Sequence, residues 1–372
     1  MRNLLLLILF LLWISPAADA QTFQSEAYAL RVSTVASGLE HPWGMAFLPD
    51  GRMLVTERPG RMRLVTPDGA VSKPLNGLPA VFAEGQGGLL DVAVDPQFNA
   101  NSLIYFSFSE QQNGLASTAV ARAELSGSSL KNVQVIFRQN PKVPGRNHWG
   151  SRLVFAQDGT LFITLGDRFD YRDQAQNPEN HMGKVVRINT DGSPASGSPF
   201  VRKAGALPEI WSYGHRNVQG AAIEPSGGKL WTVEHGPRGG DELNLTEAGI
   251  NYGWPQASYG SHYSGVSIPD EHAERGFREP VYYWTPSLAP SGLMFYSGSG
   301  FPAWQGNVFM GTLAGKSLVR LVLSGGKVVS EERLLQGLGE RLRDVRQGPD
   351  GWIYILTDDK NGRILRLERT EN

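Results

Sequence analysis

Several short segments of this 372-residue chain are too polar and too rich in glycine to be simple hairpin turns. They are Glu84–Asp91 (EGQGGLLD), Asn147–Gly150 (NHWG), Leu165–Arg168 (LGDR) and Gly214–Asn217 (GHRN). Glu234–Glu242 (EHGPRGGDE), Asn251–Pro255 (NYGWP), Thr312–Lys316 (TLAGK) and Arg341–Asp344 (RLRD) complete the set. Their residue types bound the chemistry. An imidazole such as that of His148 titrates near neutrality and suits proton transfer, or else it is a loop histidine bonded to backbone. Arg341 and Arg343, two residues apart, point to one face of an extended segment, which on its own reads as a solvated edge strand. Asp241-Glu242 offers hard oxygen ligands, or is a solvated acidic turn. His235 has no second histidine three or four residues on, so a helical zinc pair is set aside. The absence of cysteine excludes a disulfide framework, a thiolate metal site and a cysteine nucleophile.

Segments so far apart need a scaffold that brings them together. Short strand-like runs recur behind the same turn chemistry: Phe47–Arg52 before Met53–Glu57, Phe155–Gly159 before Thr160–Thr164, and Gln347–Gly351 before Trp352–Thr357. Val94–Pro96, Ile223–Pro225 and Tyr296–Gly306 precede similar runs more loosely. Asp-Gly supplies the positive φ that a tight hairpin needs. The six starts lie 47, 61, 68, 73 and 51 residues apart; a four-stranded blade takes roughly 40–50, so the longer intervals carry inserted loops. The 44 glycines fit a turn-rich chain, and no long stretch keeps helical apolar spacing. A two-sheet sandwich would not explain six copies of one hairpin. The pattern therefore predicts an all-β chain: a single six-bladed β-propeller over residues 21–372, with its site in a central channel. Val32–Val35 should add a strand to the last blade, beside Gly362–Leu367, and close the ring.

Arg2, the eleven apolar residues Leu4–Ile14, Pro16 and Ala18-Asp19-Ala20 before Gln21 read as a secretory signal peptide over residues 1–20. Eleven residues are too few for a membrane span, which takes about 20; an uncleaved anchor or a buried helix is the alternative. The mature protein is expected to be soluble, periplasmic and monomeric. A net charge of −1 gives no general attraction for nucleic acid or anionic lipid.

GQGGLLDVAVDP, His148 with Leu165-Gly166-Asp167, GHRN, EHGPRGGDELN, NYGWP and RLRDV occur in an order that resembles the soluble quinoprotein aldose (glucose) dehydrogenases, over about Leu39 to Leu367. The resemblance implies pyrroloquinoline quinone (PQQ) and calcium as cofactors, and oxidation of an aldose at C1 to the lactone. It implies His148 as catalytic base and Asp167 as the carboxylate that orients it and raises its basicity. Arg216 and Asn217 match the pair at the quinone oxygens, and Gln86 a polar contact near the reacting edge. Arg341 and Arg343, flanking Leu342, match the arginines that hold the cofactor carboxylates. The family pattern has a lysine directly after the position of Leu313; here Ala314-Gly315 stands there, with Lys316 beyond, and these three are expected to serve instead. Tyr263, Tyr282 and Trp284 are candidates to stack on the cofactor or cap the sugar. The carbonyls of Gly236 and Pro237 match the holders of the active-site calcium, and Glu242 with the Tyr252 carbonyl those of a second, structural ion.

Two other classes use such a fold: metal-dependent lactonases, with carboxylate and asparagine ligands in the channel, and propellers that bind without catalysis. A lactonase has no reason to gather Arg216, Arg341 and Arg343, and His148, Asp167 and Arg216 argue against a mere binding module. The expected partners are an aldose substrate and a separate, unidentified electron acceptor.

Overall fold

In the computed structural model, each of the six hairpins joins the first two strands of its own antiparallel sheet. The innermost strands are Pro42–Phe47, Leu89–Val94, Gly150–Phe155, Val218–Ile223, Pro290–Phe295 and Leu342–Gln347, of blades 1 to 6. Neighbouring innermost strands touch in a closed ring of six, the arrangement of a six-bladed propeller. The structure describes residues 20–370; the expected signal peptide, apart from Ala20, lies outside the described residues. No helix among the described residues is long and apolar enough to cross a membrane.

Second strands such as Met53–Glu57 and Leu161–Leu165 are buried along their whole length, because both faces of a blade pack on neighbours. The core therefore lies between blades. One cluster joins Met294 and Phe309 of blade 5 to Leu342 and Ile355 of blade 6; another joins Leu54 and Met62 of blade 1 to Val92 and Phe106 of blade 2. Burial of each large aliphatic or aromatic side chain stabilises the ring by about 1.5–3 kcal/mol.

The expected closure is present. Ala29–Leu39 pairs with Gly362–Arg369, Val32 opposite Leu367, so the last sheet holds both ends of the chain. It extends further than expected, because Gln21–Gln24 adds a fifth strand. Blade 1 departs from four strands in the other direction and has three. After Arg61–Val65 a bridge from Val65 to Val71 and the Ser72 and Leu75 amides continue along the strand without forming a fourth ladder, and Pro74 and Pro79 cannot donate to one.

Every innermost strand slips register near its start, between Pro42 and Met45, Leu89 and Val92, Gly150 and Leu153, Val218 and Gly220, Ser291 and Met294, and Leu342 and Asp344. Such bulges re-aim side chains. Here they turn Trp43, Leu90, Gln219 and Arg343 toward one cavity.

Candidate active site

Two cavities of about 550 Å3 each lie on either side of a shared wall. Gly150 and Asn217 face the first; His148 and Arg216, their near neighbours in sequence, face the second. Backbone geometry makes this possible. His148 (φ 52°), Ser151 (φ 91°), Arg168 (φ 61°) and Phe169 (φ 66°) all adopt left-handed backbone, which is costly for side-chain-bearing residues and clusters where the surroundings hold it in place.

The first cavity is cationic. Arg343 reaches Asp358 Oδ2 at 2.7 Å and Gln219 Oε1 at 3.2 Å, while its Nε is buried without a partner. Arg341 reaches the same Asp358 oxygen at 3.3 Å and donates to the Leu313 carbonyl at 3.3 Å. The i, i+2 spacing thus does put both guanidiniums on one side. Burial opposes the charge on Asp358, but Arg343, His41 and Arg341 outweigh it and hold the carboxyl well below the usual range. His235 also lines this cavity; its Nε2 pairs with the Pro290 carbonyl at 2.9 Å, and burial, reinforced by Arg216 and Arg343, lowers it to about 3.

The second cavity holds an oriented imidazole. His148 Nδ1 donates to Asp167 Oδ1 at 2.7 Å, and Trp254 Nε1 donates to Asp167 Oδ2 at 2.8 Å. Asp167 fixes the tautomer, so the lone pair sits on Nε2. Gln86 Oε1 takes the His148 backbone N–H at 2.9 Å, and Asn217 Oδ1 that of Gly150 at 3.2 Å. The expectation that Asp167 raises the basicity of His148 is correct in direction but not in outcome. Burial is the larger effect, Arg216 and Arg168 add to it, and His148 is net lowered below 6.5. Arg216 donates to the His235 carbonyl at 3.0 Å and to the Tyr263 hydroxyl at 3.1 Å.

A small acidic corner lies behind Arg216. Asn244 Nδ2 donates to Glu234 Oε1 at 3.2 Å and Glu242 Oε2 at 3.1 Å, leaving Asn244 Oδ1 buried without a partner. Burial and the neighbouring Glu234 push the Glu242 carboxyl well up. Gly236 and Tyr252 line the same corner, whereas Pro237 faces the His148 cavity. Asp241 is committed elsewhere: it accepts the backbone N–H groups of Gly236, Leu288 and Ala289 at 2.7–2.8 Å. Among the described residues, no three histidine or carboxylate side chains are placed to hold a metal ion by themselves. A cation here would need backbone carbonyls as well. The crowded carboxylates and the orphaned amide oxygen are chemically suited to a hard ion.

Some expected contributors stand apart. Lys316 is exposed and lines neither cavity, and the amides of Ala314 and Gly315 donate to the Leu288 carbonyl at 3.0 Å. Leu342 packs its side chain into the cluster between blades 5 and 6. Trp284 and Tyr282 pack in the core between blades 4 and 5, because alternation on their strand aims them at the neighbouring sheet. Tyr263 lines the His148 cavity, stacked on Phe169 at 6.3 Å. Trp43, Gln219 and Asp358 were not expected, and nothing in their local sequence marks them; Trp254 lies in the NYGWP segment but was given no role there. Arg168, next to Asp167, was also missed. It stacks on Trp149 at 3.4 Å and donates to the carbonyls of Gly145 (2.7 Å) and Asn147 (2.5 Å), bracing the loop of His148.

Comparison with known proteins agrees with the fold and the family resemblance. The Glucose / Sorbosone dehydrogenase family model matches residues 39–366. Aldose sugar dehydrogenase YliI of Escherichia coli is 43% identical over 362 residues, spanning 96% of this chain and 94% of its own. A solved glucose dehydrogenase is 50% identical with a TM-score of 0.87, covering 90% of this chain and 98% of the other. The PQQ-bound aldose sugar dehydrogenase of Streptomyces coelicolor is 31% identical with a TM-score of 0.77, covering 95% and 99%. The chain belongs to the glucose/sorbosone dehydrogenase family.

Proposed function

We propose that this protein is a periplasmic, PQQ-dependent aldose sugar dehydrogenase that oxidises the C1 hydroxyl of sugars such as glucose to the lactone. The observation that carries the reading is the juxtaposition of the buried His148–Asp167 pair with an arginine-lined cavity across one shared wall. PQQ, when bound, supplies the two-electron acceptor for the hydride leaving C1.

The chain's own groups do the rest. His148 Nε2 takes the hydroxyl proton; its lowered pKa keeps it unprotonated at neutral pH. Asp167 stabilises the imidazolium that forms. Arg216, with an unpartnered buried Nε, and Asn217 offer donors where negative charge develops. Arg341 and Arg343 suit the cofactor's three carboxylates, and the orphaned Arg343 Nε fits a further acceptor. The carbonyls of Gly236 and Pro237 would hold calcium beside the cofactor, and Glu242 with the Tyr252 carbonyl a structural ion. Residues 1–20 serve as the export signal and residues 21–372 as one catalytic domain, working as a monomer that passes electrons to a separate acceptor.

The test is reconstitution of purified apoprotein with PQQ, with and without calcium, followed by glucose oxidation coupled to an artificial dye. Activity should need both cofactors, vanish on chelation and return with calcium. Equal PQQ affinity with and without calcium overturns the calcium role; no sugar oxidation by fully loaded protein overturns the activity.

A further inference from the structure

The innermost strands repeat one register position six times. Three residues before the last paired residue of each stand Gly44, Asp91, Arg152, Gly220, Gly292 and Asp344. Three are glycine and three are charged, and the charged three meet from blades 2, 3 and 6. Arg152 Nη1 lies 3.2 Å from Asp91 Oδ1 and 3.2 Å from Asp344 Oδ1. All three side chains are fully buried. The glycines make their room: a Cβ on Gly44 would stand 2.6 Å from Asp91 Oδ1, and one on Gly292 2.8 Å from Asp344 Oδ1. Arg346, which lines neither cavity, reaches both carboxylates, at 3.1 and 3.3 Å, so two acids face two guanidiniums.

Stability alone does not account for such a cluster. Desolvating four charges offsets much of their attraction, and apolar side chains would close a channel as well or better. The remaining donors of Arg152 point to a different task. Its Nε donates to the Gln219 carbonyl at 2.8 Å and its Nη2 to the Arg343 carbonyl at 3.0 Å. Its guanidinium carbon lies 4.1 Å from the centroid of the Trp43 ring. Trp43, Gln219 and Arg343 all line the cationic cavity, and Gln219 in turn holds Arg343 and Asn217.

We propose that the Asp91–Arg152–Asp344 cluster is the seat of the cofactor cavity and that Arg152 is a positioning residue, which sets affinity for the quinone by fixing Trp43, Gln219 and Arg343 from beneath. This rests on the quinone reading above. Arg346 provides the comparison, because it shares both carboxylates but bonds no cavity-lining residue; its other contact is the Met45 carbonyl at 3.1 Å.

The experiment titrates purified apoprotein with PQQ in the presence of calcium, following tryptophan fluorescence, alongside thermal unfolding. Arg152→Lys keeps the charge but loses the fork that spans two carbonyls; it should weaken PQQ binding by about tenfold. Arg346→Lys should lower Tm to a similar extent and leave PQQ affinity within about twofold. Wild-type affinity in Arg152→Lys, or equal losses in both variants, overturns the proposal in favour of a purely structural plug. Should Arg152→Lys not fold, Asp91→Asn/Arg152→Gln, which leaves Asp344 paired with Arg346, is titrated with the same expected loss. Failure of that variant to fold also decides for the structural plug. Wild-type protein that takes up no PQQ overturns the quinone reading itself, and this proposal with it.

Discussion

The two cavities are alike in size and differ in what builds them. The cationic one takes Trp43, Leu90, Gln219 and Arg343 from the innermost strands, at positions that follow from register and bulge, and completes its wall with residues just beyond strand ends, such as Asn217, His235, Arg341 and Asp358. The other is walled mainly by loop residues: Phe169, Asp170 and Arg172 after the second strand of blade 3, and His262, Tyr263 and Val266 within a long insertion of blade 4. Strands hold side chains to fixed geometry, while loops tolerate change in length and sequence. A rigid polyanionic cofactor suits the first kind of wall and a variable sugar the second. His148, Asp167 and Arg216 stand where the two meet, on left-handed or strand-end backbone braced by buried hydrogen bonds.

The largest effect should come from the shared wall. His148→Gln is expected to lower turnover by ~10²–10⁴-fold, the range for loss of a general base, with PQQ affinity unchanged. Asp167→Asn should lose less, because it disturbs the tautomer and orientation but leaves the base. Because burial holds the folded His148 below 6.5, the wild-type rate should stay flat near neutrality and fall only as pH drops through that lowered value. The residual activity of His148→Gln should lack this acid limb. A loaded His148→Gln protein with near wild-type rate and the same limb would remove His148 from the chemistry.

Next in size is the strand-built cavity. Arg343→Ala should weaken PQQ binding by roughly one to two decades, as expected for a charge-assisted bond of ~1.5–3 kcal/mol in a buried setting. Turnover at saturating cofactor should change little. Arg341→Ala should cost less, because its side chain is 45% exposed against 7% for Arg343 and water screens it. Equal and negligible losses would show that Asp358 alone occupies both guanidiniums.

This division also explains what the sequence revealed. Hairpin chemistry is local, so the six turns, the all-β class and the closing strand were legible from Asp-Gly and Pro-Asp punctuation and apolar runs. The dyad was legible through the family resemblance: its polar, glycine-rich segments marked His148 and Asp167 as candidates, but residue type alone left His148 open as a loop histidine bonded to backbone. Trp43, Gln219 and Asp358 were not, since each lies in or beside an ordinary strand and gains its role only when six blades converge. Blade 1 falls one strand short of the four-stranded blade the rhythm suggests, because Pro74 and Pro79 remove strand donors without altering the hairpin before them. Lys316 was expected at the site from its place near a family lysine. The carbonyl of Leu288, which takes the amides of Ala314 and Gly315, fixes that loop otherwise.

The smallest effect belongs to the loop-built wall, and it separates the two cavities most directly. Tyr263 is 61% exposed and stacks on Phe169, presenting an aromatic face at the mouth above His148. Its hydroxyl is one of two partners of the Arg216 guanidinium; the His235 carbonyl remains when it is removed. Tyr263→Ala and Phe169→Ala should therefore raise the sugar KM by only a few-fold, about 1 kcal/mol or less of lost stacking, and leave the Kd for PQQ within about twofold. Tyr263→Phe should restore most of the KM, since the ring rather than the hydroxyl meets the sugar. A loss of PQQ affinity in Tyr263→Ala as large as that in Arg343→Ala would place Tyr263 with the cofactor, one of the two roles the family resemblance leaves to it. The wall between the two cavities would then be open, and one chamber would serve both ligands.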